Sequence, residues 1–534
     1  MLLWNSTIYG AYLLRKGCAM SVLKNCFRSC EIVFFSLVVL IFLPFFTITN
    51  ALADPIHLIH EFAGGGNDGA KAQLTSLIYE SDTLYGMTAY GGDADKGIVF
   101  KINPDSTSFT LLHEFAGGSD GARPYGSVIC QSGVLYGMAT YEGANNKGTV
   151  FKIGTDGTGY SILRQFAGGP DDGREPVNSV IYASGKLYGM TSGGGDFDSY
   201  GTIFKMNPDG TGFSLIHDFY GGANDGRYPF DSVIYVSGTL YGVTVWGGDS
   251  DLGTVFKIGT DGTGFTLLHE FAGGANDGRN PYSRILYDSG QLYGLTNGGG
   301  DSNKGTIFKI GTDGTGFTLL HEFAGGVNDG GVPYSGLICA DDRLYGMTSA
   351  GGDTNNGTVF RIDKDGTDYT ILYEFAGGAN DGRLPYGSLV YALGKLYGIT
   401  NSGGDSDQGT LFWLYANFAD VVAALSDLEI AGYTDTELEL LCQLYIEGKF
   451  SLGPADPVII DGITWQYYDT LPGDTGYDMG TGYIYEGKKY IKLGSGLGEL
   501  SGSGVPELPA GASTLLSLMT GMWLLRGRKP GKKV

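Results

Sequence analysis

A chain of 534 residues carrying a net charge of −23, with a sequence pI near 4.5, repels phosphate backbones, which argues against nucleic acid as a partner. Its 92 glycines lack collagen's every-third spacing, and with 13% aromatic and 42% hydrophobic residues the chain holds enough apolar material for a core, which argues against disorder. Glycine in this abundance predicts many turns, and the plentiful Tyr, Phe, Ile and Val predict many strands.

At the N-terminal end, Lys24 and Arg28 precede an apolar run from Ile32 to Ile48. Ala51-Leu52-Ala53 then closes the run with a small-x-small site before Asp54. This is the three-part layout of a secretory signal peptide over 1–53, with Met20 as an alternative start. The other reading is a retained membrane anchor. Cys18, Cys26 and Cys30 fall in this segment, and Cys130, Cys339 and Cys442 have no framework spacing. Cys130 and Cys339 replace a tyrosine that recurs as Tyr79, Tyr182 and Tyr235, and are expected to be buried substitutes for it.

Residues 54–415 repeat one sentence seven times. HEFAGGANDGRNPY at 269–282 returns with small changes, its phenylalanine at Phe62, Phe115, Phe166, Phe219, Phe271, Phe323 and Phe375, at gaps of 51 to 53. A Leu-Tyr-Gly marker (Tyr85 to Tyr397) and a third aromatic marker (Phe100 to Phe412) keep step with it. A fixed period near fifty means a solenoid or a propeller. Within 283–323, SRILY, LYGLT, TIFKI and FTLLHEF are four short β-rich runs bounded by Gly, Asp, Asn or Ser. Four antiparallel strands per unit make a propeller blade, so an all-β, seven-bladed β-propeller is predicted. FTLLHEF alternates, which predicts Phe317, Leu319, His321 and Phe323 on one face. The region opens with a last-strand phrase (56–62) and ends with a third-strand phrase (409–415), so the N-terminal strand is expected to complete the seventh blade and leave no open edge.

The order Leu292-Tyr293, Gly299-Gly300, Phe308, Phe317 is similar to kelch propellers. The whole phrase more closely resembles the GloVer tandem repeat of bacterial surface proteins with variable anchors. That resemblance covers about 56–415 and implies a propeller but no particular activity.

Repeated polar residues offer candidate sites. Asp93 with Asp95, Asp249 with Asp251, and Asp405 with Asp407 stand two apart after a Gly-Gly, and carboxylates so placed can share a calcium ion. One loop alone falls short of the roughly six to eight oxygens calcium takes, so the competing reading is turn chemistry, each Asp bonding local amides. Arg227, Arg279 and Arg383 close an Asn-Asp-Gly-Arg phrase. They either present forks to an anionic ligand or pair with aspartates from blade to blade. His60, His113, His217, His269 and His321 share one repeat position and are expected far apart around the ring, forming neither a metal cluster nor a triad. With no nucleotide loop, zinc spacing or nucleophile elbow, no catalytic residue and no cofactor other than calcium is indicated.

Beyond the ring, glycine thins over 416–450, and Thr434 with Glu437 makes a capping box ahead of an apolar stripe, which predicts helix. Residues 451–493 predict a small β module, and 494–504 a flexible linker. In 505–534, Val505-Pro506-Glu507-Leu508 leads into an apolar stretch (510–525) and a basic tail. These three parts resemble the PEP-CTERM sorting signal, with Leu508 where that family has its second proline. The resemblance implies an exosortase-like processing enzyme in a Gram-negative bacterium; the alternative is a simple membrane anchor.

Together these features lead to an exported monomer at the cell surface, outer-membrane-associated or in the extracellular matrix, binding a glycan or an extracellular protein without catalysis. The alternatives are a polysaccharide-acting enzyme with acidic residues in the propeller funnel, and a purely structural matrix component.

Overall fold

Each Leu-Tyr-Gly marker sits in a strand whose glycine faces the aromatic marker on the neighbouring strand. In the fifth repeat Gly294 pairs with Phe308, and a Cβ on Gly294 would fall 2.4 Å from the phenyl Cζ. The glycine is there because the ring needs its space. The other six copies repeat the arrangement, as in Gly86 with Phe100 and Gly398 with Phe412.

The computed structural model describes residues 56–104, 108–196 and 200–416, together with four later strands. The fifth blade is representative: Leu286–Asp288, Gln291–Thr296, Thr306–Gly311 and Thr318–Glu322 form an antiparallel sheet in that order. Seven such sheets make the all-β, seven-bladed propeller. Their first strands, from Ile78–Glu80 to Val390–Ala392, touch one another in an unbroken cycle and are therefore the innermost. The last blade takes its outermost strand from the other end of the chain. Ile56–Glu61 pairs antiparallel with Thr410–Tyr415, Ile56 opposite Leu414 and Glu61 opposite Thr410. It fills the place of the fourth strand in the other blades, so Thr410–Tyr415 is not left as an unpaired edge.

The expected alternation along the outermost strand is corrected by a β-bulge. In blade five Ile307 pairs with His321 but Phe308 with Leu319, and the same shift occurs in all seven blades. One extra residue reverses the facing beyond it. Phe317 and Leu319 pack toward blade four, whereas His321 and Phe323 pack toward blade six.

The core lies between blades rather than within them. One cluster joins Tyr241, Val255, Leu268 and Phe271 with Leu292, Phe308 and Ile310 of the following blade. Each fully buried side chain of this size is worth about 1.5–3 kcal/mol, and an isolated unit would lose most of that burial. Lysines add cross-blade ties: the Lys205 ammonium donates to the Thr260 carbonyl at 3.0 Å and that of Lys101 to Thr155 at 3.1 Å. Near the axis the wedge between blades closes less tightly. Tyr182, Tyr235 and Tyr287 are 37–40% exposed there, and Cys130 and Cys339, at the same position, are half-exposed rather than buried.

Strand direction sorts the loops onto two faces. The short turns, including Asp-Gly-Thr hairpins in which Asp313 Oδ1 accepts the Thr315 N–H at 2.9 Å, lie on one face. The loops between second and third strands and the long connections from each outermost strand to the next innermost one lie on the other, the connection face.

A separate four-stranded antiparallel sheet is formed by Val458–Ile460, Ile463–Tyr467, Lys488–Leu493 and Gly482–Tyr485, in that order across the sheet. It falls within the stretch read as a β module. The leader (1–53), the helix expected within 417–450, the linker and the sorting segment lie outside the described residues. Among the described residues no helix is long and apolar enough to cross a membrane.

Candidate functional site

The repeated phrase builds the connection face, and its aspartate is the hub. In the fourth-to-fifth connection, Asp277 Oδ2 accepts the Ala272 N–H at 2.8 Å, and Oδ1 accepts the Gly278 N–H at 2.7 Å. His269 Nε2 lies 3.0 Å from the same Oδ1, and its ring stacks on Phe317 of the next blade with 3.7 Å between centroids. His60, His113, His217 and His321 have the same aspartate partner, at 2.9 to 3.2 Å. Where histidine is missing, Arg164 reaches Asp172 at 2.9 Å and lies over Phe213, and Tyr373 hydrogen-bonds to Asp381. The partner sets the carboxyl's acidity. Burial pushes Asp329 up, but hydrogen bonds from His321 and the Ala324 N–H, with the His321 charge, hold it below the usual range. Burial wins at Asp381, which is raised. These histidines are fasteners, one per connection.

The Gly-Gly-Asp-x-Asp loops are closed by their own second acid. Asp95, Asp251 and Asp407 each accept the N–H of the residue four earlier (Gly91, Gly247 and Gly403) at 2.9 Å through Oδ1. All three have left-handed φ, between 52° and 55°. The N–H groups of Asp249 and Asp405 are held by Glu270 and Glu61 of the outermost strands, at 2.7 and 2.8 Å, and that of Asp93 by Glu114 at 3.4 Å. The arginines complete the same loops. Arg227 grips Asp251 through two nitrogens at 3.0 and 2.5 Å, Arg279 donates to Asn303 at 2.9 Å, and Arg383 grips Asp407 at 2.8 Å. The pairing expected between blades therefore runs inside one blade, from the connection to the loop beside it. These guanidiniums hold the Asp251 and Asp407 carboxyls below the usual range. The six candidate calcium ligands are exposed but not gathered: in each loop one acid is already committed and one remains. Among the described residues no group of three or more His, Cys, Asp or Glu side chains is placed to hold a metal ion.

Sequence reading missed the inner rim of this face. A Pro-aromatic pair ends most connections, just before the innermost strand. The residue before the proline is pinned to the preceding blade, Asn280 N–H to Leu252 O at 2.7 Å and Leu384 N–H to Asn356 O at 2.9 Å. The proline then packs on that blade's glycine, so a Cβ on Gly253 would lie 2.6 Å from Pro281 Cδ. The aromatic that follows is thereby aimed at its neighbour. Phe230, Tyr282, Tyr334 and Tyr386 touch ring to ring at 5.2, 5.2 and 5.3 Å, an arc across four consecutive blades. All four are half-buried. Gln73 and Val177 take the aromatic's place elsewhere and interrupt it.

Two residues after each aromatic runs a belt of cross-blade hydrogen bonds. Ser388 donates its N–H to Ser76 Oγ at 2.7 Å, Ser76 to Ser127 at 3.0 Å, and Ser127 to Ser179 at 2.9 Å. The Gly336 N–H of blade six still donates to Ser388 Oγ at 2.8 Å, but blades four and five break the pattern. Arg284 and Gly336 occupy the serine position, and the Arg284 N–H goes to the carboxylate of buried Asp231 at 2.5 Å. Asp231 also accepts the Ser232 N–H at 2.5 Å; burial raises its pKa despite the nearby Arg284 charge. The signal in the sequence was a Pro-Tyr dipeptide in fixed register, and one charged residue where the other copies have Ser or Gly.

Two clefts open on the same face. One, of about 570 Å³, lies at the closure seam and is lined by Lys71, Gln73, Tyr90, Asn401 and Gln408 among others. The other, of about 600 Å³, is lined by Asn356, Arg383, Asp405 and Asp407 with small residues.

Residues 45–249 and 199–412 match the Gloeobacter/Verrucomicrobia repeat. Among solved structures the chain is similar to an oligogalacturonate lyase in complex with manganese, at 10% identity over 67% of this chain and 92% of that one, with a TM-score of 0.45. An oligogalacturonate lyase from Vibrio parahaemolyticus is similar at 11% identity over 67% and 93%, with a TM-score of 0.43. The nidogen/laminin complex is similar at 12% identity over 55% and 93%, with a TM-score of 0.32. Likenesses of this degree say nothing about chemistry. No curated protein matches.

Proposed function

The chain belongs to the Gloeobacter/Verrucomicrobia repeat family, and from that premise we propose that it is an exported, non-catalytic binding or scaffold protein. It holds a glycan or a protein at the cell surface through the connection face of its ring. The observation that carries this reading is the arc of Phe230, Tyr282, Tyr334 and Tyr386. It presents half-buried aromatic rings at the inner rim, while the repeated histidines, aspartates and arginines around it are engaged with one another. Half-buried rings, three of them tyrosines with polar tips, suit a ligand that offers both apolar faces and hydroxyls.

The signal-peptide layout of 1–53 supports export, and the Val505-Pro506-Glu507 motif with its apolar stretch and basic tail supports sorting by an exosortase-like enzyme. A glycan array probed with the full chain, with and without calcium, tests the binding reading. Retention without turnover is the expected result, and release of shortened product would replace it with an enzyme. Antibody labelling of intact cells tests export, and signal only after permeabilisation would count against it.

A further inference from the structure

Features present in all seven blades maintain the ring, so a specific ligand is best sought where the pattern fails beside the aromatic arc. That place is the belt position of blades five and six. Arg284 is exposed where Ser76, Ser127, Ser179, Ser232 and Ser388 stand in other blades. Among the described residues, every other arginine side chain has an ion pair, a hydrogen bond or an aromatic ring within reach. The Arg284 guanidinium has no carboxylate within ion-pair distance there. Asp231, its electrostatic neighbour, is buried and committed to two backbone N–H groups. In the next blade Gly336 carries no side chain to shield Arg284; it is buried, its N–H donates to Ser388 Oγ at 2.8 Å, and a Cβ there would lie 3.0 Å from that oxygen. Tyr282 and Tyr334, each two residues before these positions, supply rings 5.2 Å apart.

We propose that Arg284 and the rings of Tyr282 and Tyr334 form a subsite for a carboxylate-bearing sugar, a uronic acid residue of an acidic glycan. This rests on the binding reading above and names its ligand class. A guanidinium fork matches the plane and spacing of a carboxylate, and a tyrosine ring covers the apolar face of a pyranose. A monoanion fits better than a phosphate, because a net charge of −23 opposes the second negative charge more strongly.

The test is direct binding of the full chain to uronic acid oligosaccharides, to their carboxyl-reduced neutral counterparts, and to phosphorylated oligosaccharides of equal length. The parent is expected to favour the carboxylate forms at least about tenfold, the scale of one charge-assisted contact. Arg284→Ser installs the residue other blades use. It should abolish the preference for the carboxylate forms over the neutral ones. Arg284→Gln, closer in length, gives the same answer if the serine variant unfolds. Neutral and carboxylate forms retained equally, or a preference that survives Arg284→Ser, would overturn this subsite and leave the binding reading standing. So would stronger binding of the phosphorylated forms. Retention of none of the sugars would overturn the subsite and the glycan reading together.

Discussion

His321 stacks on Tyr369 of the following blade, 3.8 Å between ring centroids, while its Nε2 stays 3.1 Å from Asp329 in its own connection. One side chain thus ties an outermost strand to a loop and to a neighbouring blade. His321→Leu removes the stack and leaves Asp329 short of a donor, at a combined cost of about 2–3 kcal/mol. His321→Tyr copies the arrangement of Tyr373 and should recover part of it. Urea unfolding measures both, and a leucine variant as stable as the parent would show that the clamp carries no load.

The same hub titrates differently between blades. Asp329 is held below the ordinary carboxyl value, so its contribution to stability is complete above that value and is lost as pH falls through the lowered one. Asp381 is raised by burial, so the folded state holds its proton longer and stability declines as pH rises from the ordinary value through the raised one. Carboxyl NMR titration should place Asp329 below and Asp381 above an unfolded-chain aspartate. The reverse order would contradict the assigned partners.

Gly294→Ala forces a methyl group into the Phe308 ring and should destabilise by about 1–3 kcal/mol. Phe308→Leu costs stability by itself, but the double variant should lose less than the sum, because the clash is gone. A strictly additive cycle would mean that the two residues do not oppose each other.

Deleting residues 56–61 strips the outermost strand from the seventh blade and exposes the edge of Thr410–Tyr415. Light scattering after gel filtration should then show association, with earlier thermal unfolding. A monomer with the parent's midpoint would mean the seam does not close the ring.

The loop ion pairs are surface features. Arg383 and Asp407 are 39% and 53% exposed, so Arg383→Gln should cost within about 1 kcal/mol. The arginine is committed to its loop, so retention of the array ligand should be unchanged. With no set of ligands gathered among the described residues, chelation of calcium should leave the thermal midpoint where it was. A fall of several degrees on chelation would show that the Gly-Gly-Asp loops bind an ion after all.

Much of this molecule was legible in its sequence because its information is periodic. Three markers in step near fifty residues dictate seven four-stranded sheets, since only stacked blades bury the apolar faces the markers carry. The out-of-phase ends, 56–62 and 409–415, announced the closure confirmed by Ile56 opposite Leu414. Tertiary structure decided what period and composition do not encode. The bulge beside Leu320 reverses the facing of His321, because a backbone irregularity is invisible to an alternation of residue types. Asp251 meets Arg227 within one blade because a connection lies along its own loop. The rings of Phe230, Tyr282, Tyr334 and Tyr386, about fifty residues apart in the chain, become neighbours only when the blades are arranged around one axis. Arg284 reads in the sequence as one more charge in a turn. In the fold it becomes an exposed cation at the inner rim, without an ion-pair partner among the described residues.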